Sequence, residues 1–314
     1  MPAFPNIVAR RKPRSRCAYR PWRDVAARAI ATANRGNLRI LTYHGVCRDA
    51  DHGQPWVPSH YVTASALDRQ LELLRRAGTI VDLREMTPLL RSGREWREAL
   101  FAITFDDAPA NLLLLAESIL SAHRVSAAVF AVTDRLEDGG LLAEDARQAA
   151  FGRAARHAAD DPTSAEDGIP TEVRESLRCM RWDELDQMAR LGHWIGAHTR
   201  SHTVLGRAPS DVRRNEIVRS IVALRNRLGR DDVPFAFPRG QPGDFDSSDV
   251  QILRELNVPL AFTAIARPNR LQSDPLMLNR NCIGLHHGHL GFAAEMIGLR
   301  DRLASVESRA TQPP

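Results

Sequence analysis

Residues Ala102–Ala110 read A-I-T-F-D-D-A-P-A. A short apolar run (Leu100, Phe101, Ala102, Ile103) ends in two adjacent carboxylates, Asp106 and Asp107. Neighbouring side chains on a strand point to opposite sides, but at a strand's end, where the chain turns, both can lean into the space above a sheet. Adjacent carboxylates repel, so a metal or an Arg is expected beside them. The competing reading is structural: a strand end followed by an Asp that caps the helix after Pro109.

The surrounding chain has 314 residues, enough to bury a real core. Its formal charge is +5, but Lys12 is its only lysine. Such an excess of Arg reads as codon bias more than as a binding surface, so nucleic acid is set aside as a partner. Cys17, Cys47, Cys179 and Cys282 are scattered without a C-x-x-C pair and read as free thiols of a reducing compartment. No stretch approaches the roughly 18–20 apolar residues of a membrane span. The basic residues Arg10, Arg11, Lys12, Arg14 and Arg16 lead into a charged helix over 22–34 instead of an apolar run, so no ordinary signal peptide is expected. The arm is expected as a disordered tail before a packing helix, with peripheral contact to an anionic membrane as the second reading. A cytoplasmic location follows, with the inner membrane face as its variant.

Outward from the opening stretch, strands are expected at Leu38–Tyr43, Thr79–Leu83, Leu100–Phe105, Ser126–Val132, His193–Ala197, Pro234–Phe237, Leu260–Ala264 and Leu276–Ile283. Helices are expected over 64–77, 85–91, 112–121, 143–158, 182–191, 210–228, 247–256 and 292–303. Residues 134–178 break this rhythm and read as a helical and polar insertion on one face, with too little apolar bulk for a core of its own. Seven or eight alternating β/α units predict a single-domain α/β fold, a distorted (β/α)7–8 barrel over 38–304, after an N-terminal arm and helix (1–37) and before a disordered tail (305–314). No G-x-G-x-x-G follows the first strand, and no P-loop occurs. In such barrels the reacting groups sit past the strand C-termini, where His44, Asp106, Asp107, His198 and the Pro238-Arg239-Gly240 turn all fall.

His198 and His202 have H-x-x-x-H spacing. With 11 His in the chain, roughly 0.4 such pairs arise by chance, so the spacing gains weight only because it leaves a strand directly. Two imidazoles and one carboxylate make a sound first shell for a zinc-like divalent ion with open positions. Such an ion would also remove the repulsion at Asp106 and Asp107.

The set T-F-D-D (Thr104–Asp107), H-T-x-x-H (His198–His202) and F-A-F-P-R-G (Phe235–Gly240) resembles the polysaccharide deacetylases, the NodB-homology enzymes of carbohydrate esterase family four. The early L-T-Y-H-G-V (Leu41–Val46) and the pair W-D-E-L and I-G-A-H-T (between Trp182 and Thr199) resemble the branch acting on bacterial exopolysaccharide. The resemblance covers roughly residues 38–283, with 134–178 outside it. It implies that Asp107, His198 and His202 hold a divalent metal, zinc with cobalt or nickel as substitutes. It implies that Asp106 is the base activating water at that metal and that Thr199 braces the loop between the histidines. The Arg239 amide would hold the oxyanion and His44 would be the catalytic acid, with the bend His286-His287-x-His289 as competitor.

Three positions depart from the pattern. The first motif's final Gly is Ala108, and the Arg that often pairs with the base falls at Ala236, while Arg239 stands where an aromatic residue is usual. Arg239 or another Arg, with Arg280 a candidate, replaces that pairing, or Asp106 is tuned differently. Three functions stay open: removal of N-acetyl groups from an amino sugar of a glycan or lipid-linked saccharide; an O-acetyl esterase or amidase on a small substrate; and a carbohydrate-binding protein without turnover. The intact ligand set favours an enzyme, and the low aromatic content of 6% favours a short or lipid-linked substrate.

Overall fold

Strands built from Leu, Ile, Val, Phe and Ala on both faces need cover on both sides, which a closed sheet ringed by helices supplies. The computed structural model describes residues 20–92, 96–151 and 169–299. Its strands are β1 (Leu38–Tyr43), β2 (Val46–Cys47), β3 (Val62–Thr63), β4 (Thr79–Ile80), β5 (Leu100–Phe105), β6 (Ala128–Ala131), β7 (Trp194–Ala197), β8 (Phe235–Ala236), β9 (Ala261–Phe262) and β10 (Arg280–Cys282). Parallel pairing runs β10–β1–β5–β6–β7–β8–β9. A parallel bridge from Phe262 to Leu278, just before β10, closes these seven strands into a distorted barrel. β4 pairs beside the start of β5, and β2 with β3 forms a separate ribbon.

Two apolar layers result. Leu38, Ile40, Leu100, Ala102, Phe130, Trp194 and Phe262 pack inside the barrel. Outside it, Leu67, Leu71 and Leu74 of helix Ala64–Ala77 are fully buried, each worth about 1.5–3 kcal/mol of transfer free energy. Helix Ser210–Leu228 contributes Ile217, Ile221 and Leu224 to the same layer and stops at Gly229, whose φ of 63° ends the helix without a Cβ clash. Helix Arg20–Ala33 adds Ala26, Ala27 and Ile30.

Several expected elements are shortened for local reasons. The strand from Thr79 ends at Ile80, because Asp82 Oδ1 accepts the Arg84 N–H at 2.9 Å and starts helix Leu83–Ser92. The strand expected from Leu276 narrows to β10, since a turn from Asp274 to Met277 occupies its first residues. Ribbon β2–β3 and helix Thr171–Leu177 are additions. The basic arm over 1–19, the end of the helix expected to 158, and the tail lie outside the described residues.

Candidate active site

Every second residue of a barrel strand faces the interior. Leu38 and Ile40 on β1, Leu100 and Ala102 on β5, and Trp194 on β7 are interior residues. Continuing by twos, the same faces lead to Thr42 and His44, to Thr104 and Asp106, and to Gly196 and His198. The Thr42 and Thr104 hydroxyls meet at 3.0 Å below the mouth. A Cβ on Gly196 would lie 2.5 Å from the Phe130 ring, so this position tolerates only glycine while Phe130 stays in place.

Five non-glycine residues at this mouth hold positive φ: Asp107 (67°), Ala108 (46°), Thr199 (60°), His202 (63°) and Arg239 (60°). Each costs on the order of 1–2 kcal/mol and persists only where neighbours enforce it. Here Met180 N–H donates to Ala108 O at 2.8 Å and Ala110 N–H to Arg178 O at 2.9 Å. Buried Glu216 accepts the Arg200 and Ser201 N–H groups at 2.9 and 2.8 Å and the Ser201 hydroxyl at 2.9 Å, pinning the loop between the two histidines. The left-handed turn at Asp107 swings this residue, next in line after inward-facing Asp106, toward the same opening.

Asp107 Oδ1 lies 3.3 Å from His202 Nε2 and 3.6 Å from His198 Nε2. His198 Nδ1 is 2.8 Å from the Ala236 carbonyl, which turns Nε2 toward the carboxylate. Asp107 Oδ1 is buried without a hydrogen-bond partner. Burial and the neighbouring Asp106 charge outweigh the pull of His202 and push this carboxyl up to about 6. Burial holds His198 down at about 4, as a neutral imidazole free to donate a lone pair. An orphaned carboxylate oxygen and two imidazole nitrogens suit a zinc-like cation, and these residues form a metal-compatible group in the described chain.

Asp106 sits differently. Arg280 Nη1 and Nη2 reach its two oxygens at 2.6 and 2.8 Å. Burial alone would raise the Asp106 carboxyl, but the Arg280 charge and its paired hydrogen bonds, with His198 and His44, bring it down to about 2. Arg280 is fully buried, donates to Thr263 O at 2.8 Å, and lies 5.4 and 5.8 Å from the Phe130 and Phe262 ring centroids. Arg280 thus pairs with Asp106 where the family pattern has an Arg at the position of Ala236, while the Arg239 side chain is exposed.

A cavity of about 140 Å³ is lined by His44, His60, Asp106, Asp107, Leu142, Glu144, Asp145, His198, His202, Arg239, Ala264 and Cys282. It brings together all six site residues expected from the sequence. His44 Nδ1 is buried without a partner. The competing bend lies elsewhere: His287 Nδ1 accepts the Gly284 N–H at 3.1 Å, and His287 and His289 line a separate cavity. His60, Leu142, Glu144, Asp145 and Glu216 carry no motif, and no signal in the sequence marks them.

The sequence profile of the polysaccharide deacetylase family matches residues 94–262. No curated protein matches. Among solved structures, the chain is similar to the deacetylase PplD of Streptococcus pyogenes in complex with acetate, with 20% identity over 83% of this chain and 99% of that one and a TM-score of 0.61. IcaB from Ammonifex degensii gives 19% identity, 83% and 97% coverage and a TM-score of 0.60. A de-N-acetylase from Aggregatibacter actinomycetemcomitans gives 16%, 82% and 99%, and 0.62. At these identities the likeness to solved structures is one of fold.

Proposed function

Because this chain belongs to the polysaccharide deacetylase family, hydrolases of amide bonds other than peptide bonds, we propose that it removes N-acetyl groups from an amino sugar of a glycan or lipid-linked saccharide with the help of a divalent ion. The observation that carries this reading is the buried, unpartnered Asp107 Oδ1 facing His198 Nε2 and His202 Nε2. A zinc-like ion held by these three groups, or cobalt or nickel in its place, would acidify water and polarise the acetyl carbonyl.

The chain's own groups divide the remaining work. Asp106 takes the proton of the attacking water on a carboxylate oxygen, while the Arg280 fork keeps that carboxylate ionised and aimed. A base held at about 2 is weak, so it serves only for water that is already acidified, which supports the need for a cation. The Arg239 N–H, which has no acceptor among the described residues, donates to the carbonyl oxygen as negative charge develops there. His44 gives a proton to the departing nitrogen. Water oxygen joins the acetyl carbon, the C–N bond breaks, and acetate and a free amine leave.

No helix among the described residues is long and apolar enough to cross a membrane. Cys47, Cys179 and Cys282 are unpaired, which supports a reducing, cytoplasmic setting where lipid-linked precursors are met. The test is an acetate-release screen over N-acetylated oligosaccharides, lipid-linked amino sugars and O-acetylated xylan, with zinc, cobalt or nickel added back. Release from the N-acetylated arms supports the reading. Release from xylan alone replaces it with an esterase.

A further inference from the structure

The outer wall of the cavity comes from two segments that carry none of the motifs of the family resemblance. Leu142, Glu144 and Asp145 reach it from the start of helix Ala143–Phe151, and His60 from the loop before β3. Asp145 Oδ1 is 3.5 Å from His60 Nε2; the carboxylate side chain is 7% exposed and the imidazole 35%, so the carboxylate backs the ring and the ring faces the opening. The His60 ring packs edge-on, its centroid 4.7 Å from His44 and 5.3 Å from Tyr61. The wall is anchored: Gln148 Nε2 donates to Pro55 O at 2.7 Å, and Val57, Tyr61, Leu141, Ala146 and Ala149 form one buried cluster beneath it.

None of these polar groups is needed to activate water, hold the oxyanion or protonate the amine, yet all three line the reacting cavity. A carboxylate beside an imidazole offers an acceptor and a donor a few ångströms apart, the pair that a vicinal diol of a sugar ring can satisfy. Burial would lower the proton affinity of His60, but the hydrogen bond and charge of Asp145, with Asp107 and Glu144 adding theirs, raise it, so the ring stays a donor. We propose that His60, Glu144 and Asp145 are the specificity-determining wall of this enzyme, holding the hydroxyls of an uncharged amino sugar and repelling acidic ones. This rests on the deacetylase reading above.

The alternative is that the Asp145–His60 pair only fastens two loops together. Steady-state kinetics with an N-acetylated chitooligosaccharide and with 4-nitrophenyl acetate, an acetyl ester lacking a sugar, separate the two. Asp145→Asn and His60→Gln should lower kcat/KM for the oligosaccharide about 10- to 100-fold more than for the aryl ester, mainly through KM, as expected for lost hydrogen bonds to charged groups. Glu144→Gln, at an exposed position, should do the same. It should also improve the poor turnover of a hyaluronan oligosaccharide, which carries a carboxylate beside each N-acetyl sugar. Equal losses on both probes, or wild-type values on both, overturn the proposal. Wild-type enzyme that hydrolyses the aryl ester but not the oligosaccharide overturns it while leaving the metal reading intact. Aryl-ester hydrolysis that survives chelation overturns the metal reading instead.

Discussion

Replacing Arg280 with Gln should destabilise the fold in a pH-dependent way, because this one buried Arg supports the base Asp106. The Arg280 fork bonds both oxygens of Asp106, and both side chains are almost wholly out of water. Removing one partner of a buried pair costs about 3–5 kcal/mol, because the other charge is left uncompensated. Part of that cost must depend on pH. A carboxyl held at about 2 in the fold and near 3.9 in the unfolded chain stabilises the fold by about 2.6 kcal/mol at neutral pH. That contribution is complete above the unfolded value and fades as pH falls toward the folded one, to about half at pH 3. In the Gln variant, burial without a cation raises Asp106 instead, so the variant loses stability as pH climbs. Urea unfolding of chelated protein should therefore show a wild-type advantage at least about 1 kcal/mol larger at pH 7 than at pH 3. The loss of ring stacking and of the Thr263 bond is the same at both pH values and cancels. An advantage that does not change with pH would refute the ion pair as the reason for Arg280, and an advantage below about 1 kcal/mol at pH 7 would refute its burial cost.

Other consequences are as direct. Asp107→Asn and His202→Ala should each remove bound metal, read by metal analysis, together with acetate release. His44→Ala should keep the metal and lose about 10²- to 10⁴-fold in turnover, the usual worth of a general acid; an unchanged rate would remove His44 from the chemistry. Glu216→Gln, which weakens the anchor of the His198–His202 loop, should weaken metal affinity about 10- to 100-fold at little cost in fold, measured by competition with a chelator. Gly196→Ala should destabilise the fold by about 1–3 kcal/mol, because Phe130 must leave its place over Arg280; a thermal midpoint matching wild type would refute that packing.

The barrel was legible because β1, β5 and the helices over 64–77 and 210–228 carry clean apolar patterns with ordinary stops. The carboxylates and the histidine pair were legible because their letters, order and strand-end positions agree. The partner of Asp106 was legible only as a candidate: Arg280 occupies an apolar-looking interior, and its role follows from the alternation that places it beneath the mouth between Phe130 and Phe262. The outer wall was not legible. Leu141, Ala146 and Ala149 are interrupted by charged residues, so their apolar face is hidden until Val57 and Tyr61 arrive from a distant loop. Glu216 was hidden for a related reason. It sits in a helix rich in Arg, where a carboxylate reads as a solvent-facing partner for those charges, yet its side chain is buried against loop amides.

The most direct test of the central claim is acetate release from an N-acetylated oligosaccharide by one protein preparation, before chelation, after it, and after add-back of zinc, cobalt or nickel. Release should stop when the metal is removed, return on add-back in wild type, and not return in Asp107→Asn. Full release by metal-free protein, or restored release in Asp107→Asn, would contradict it.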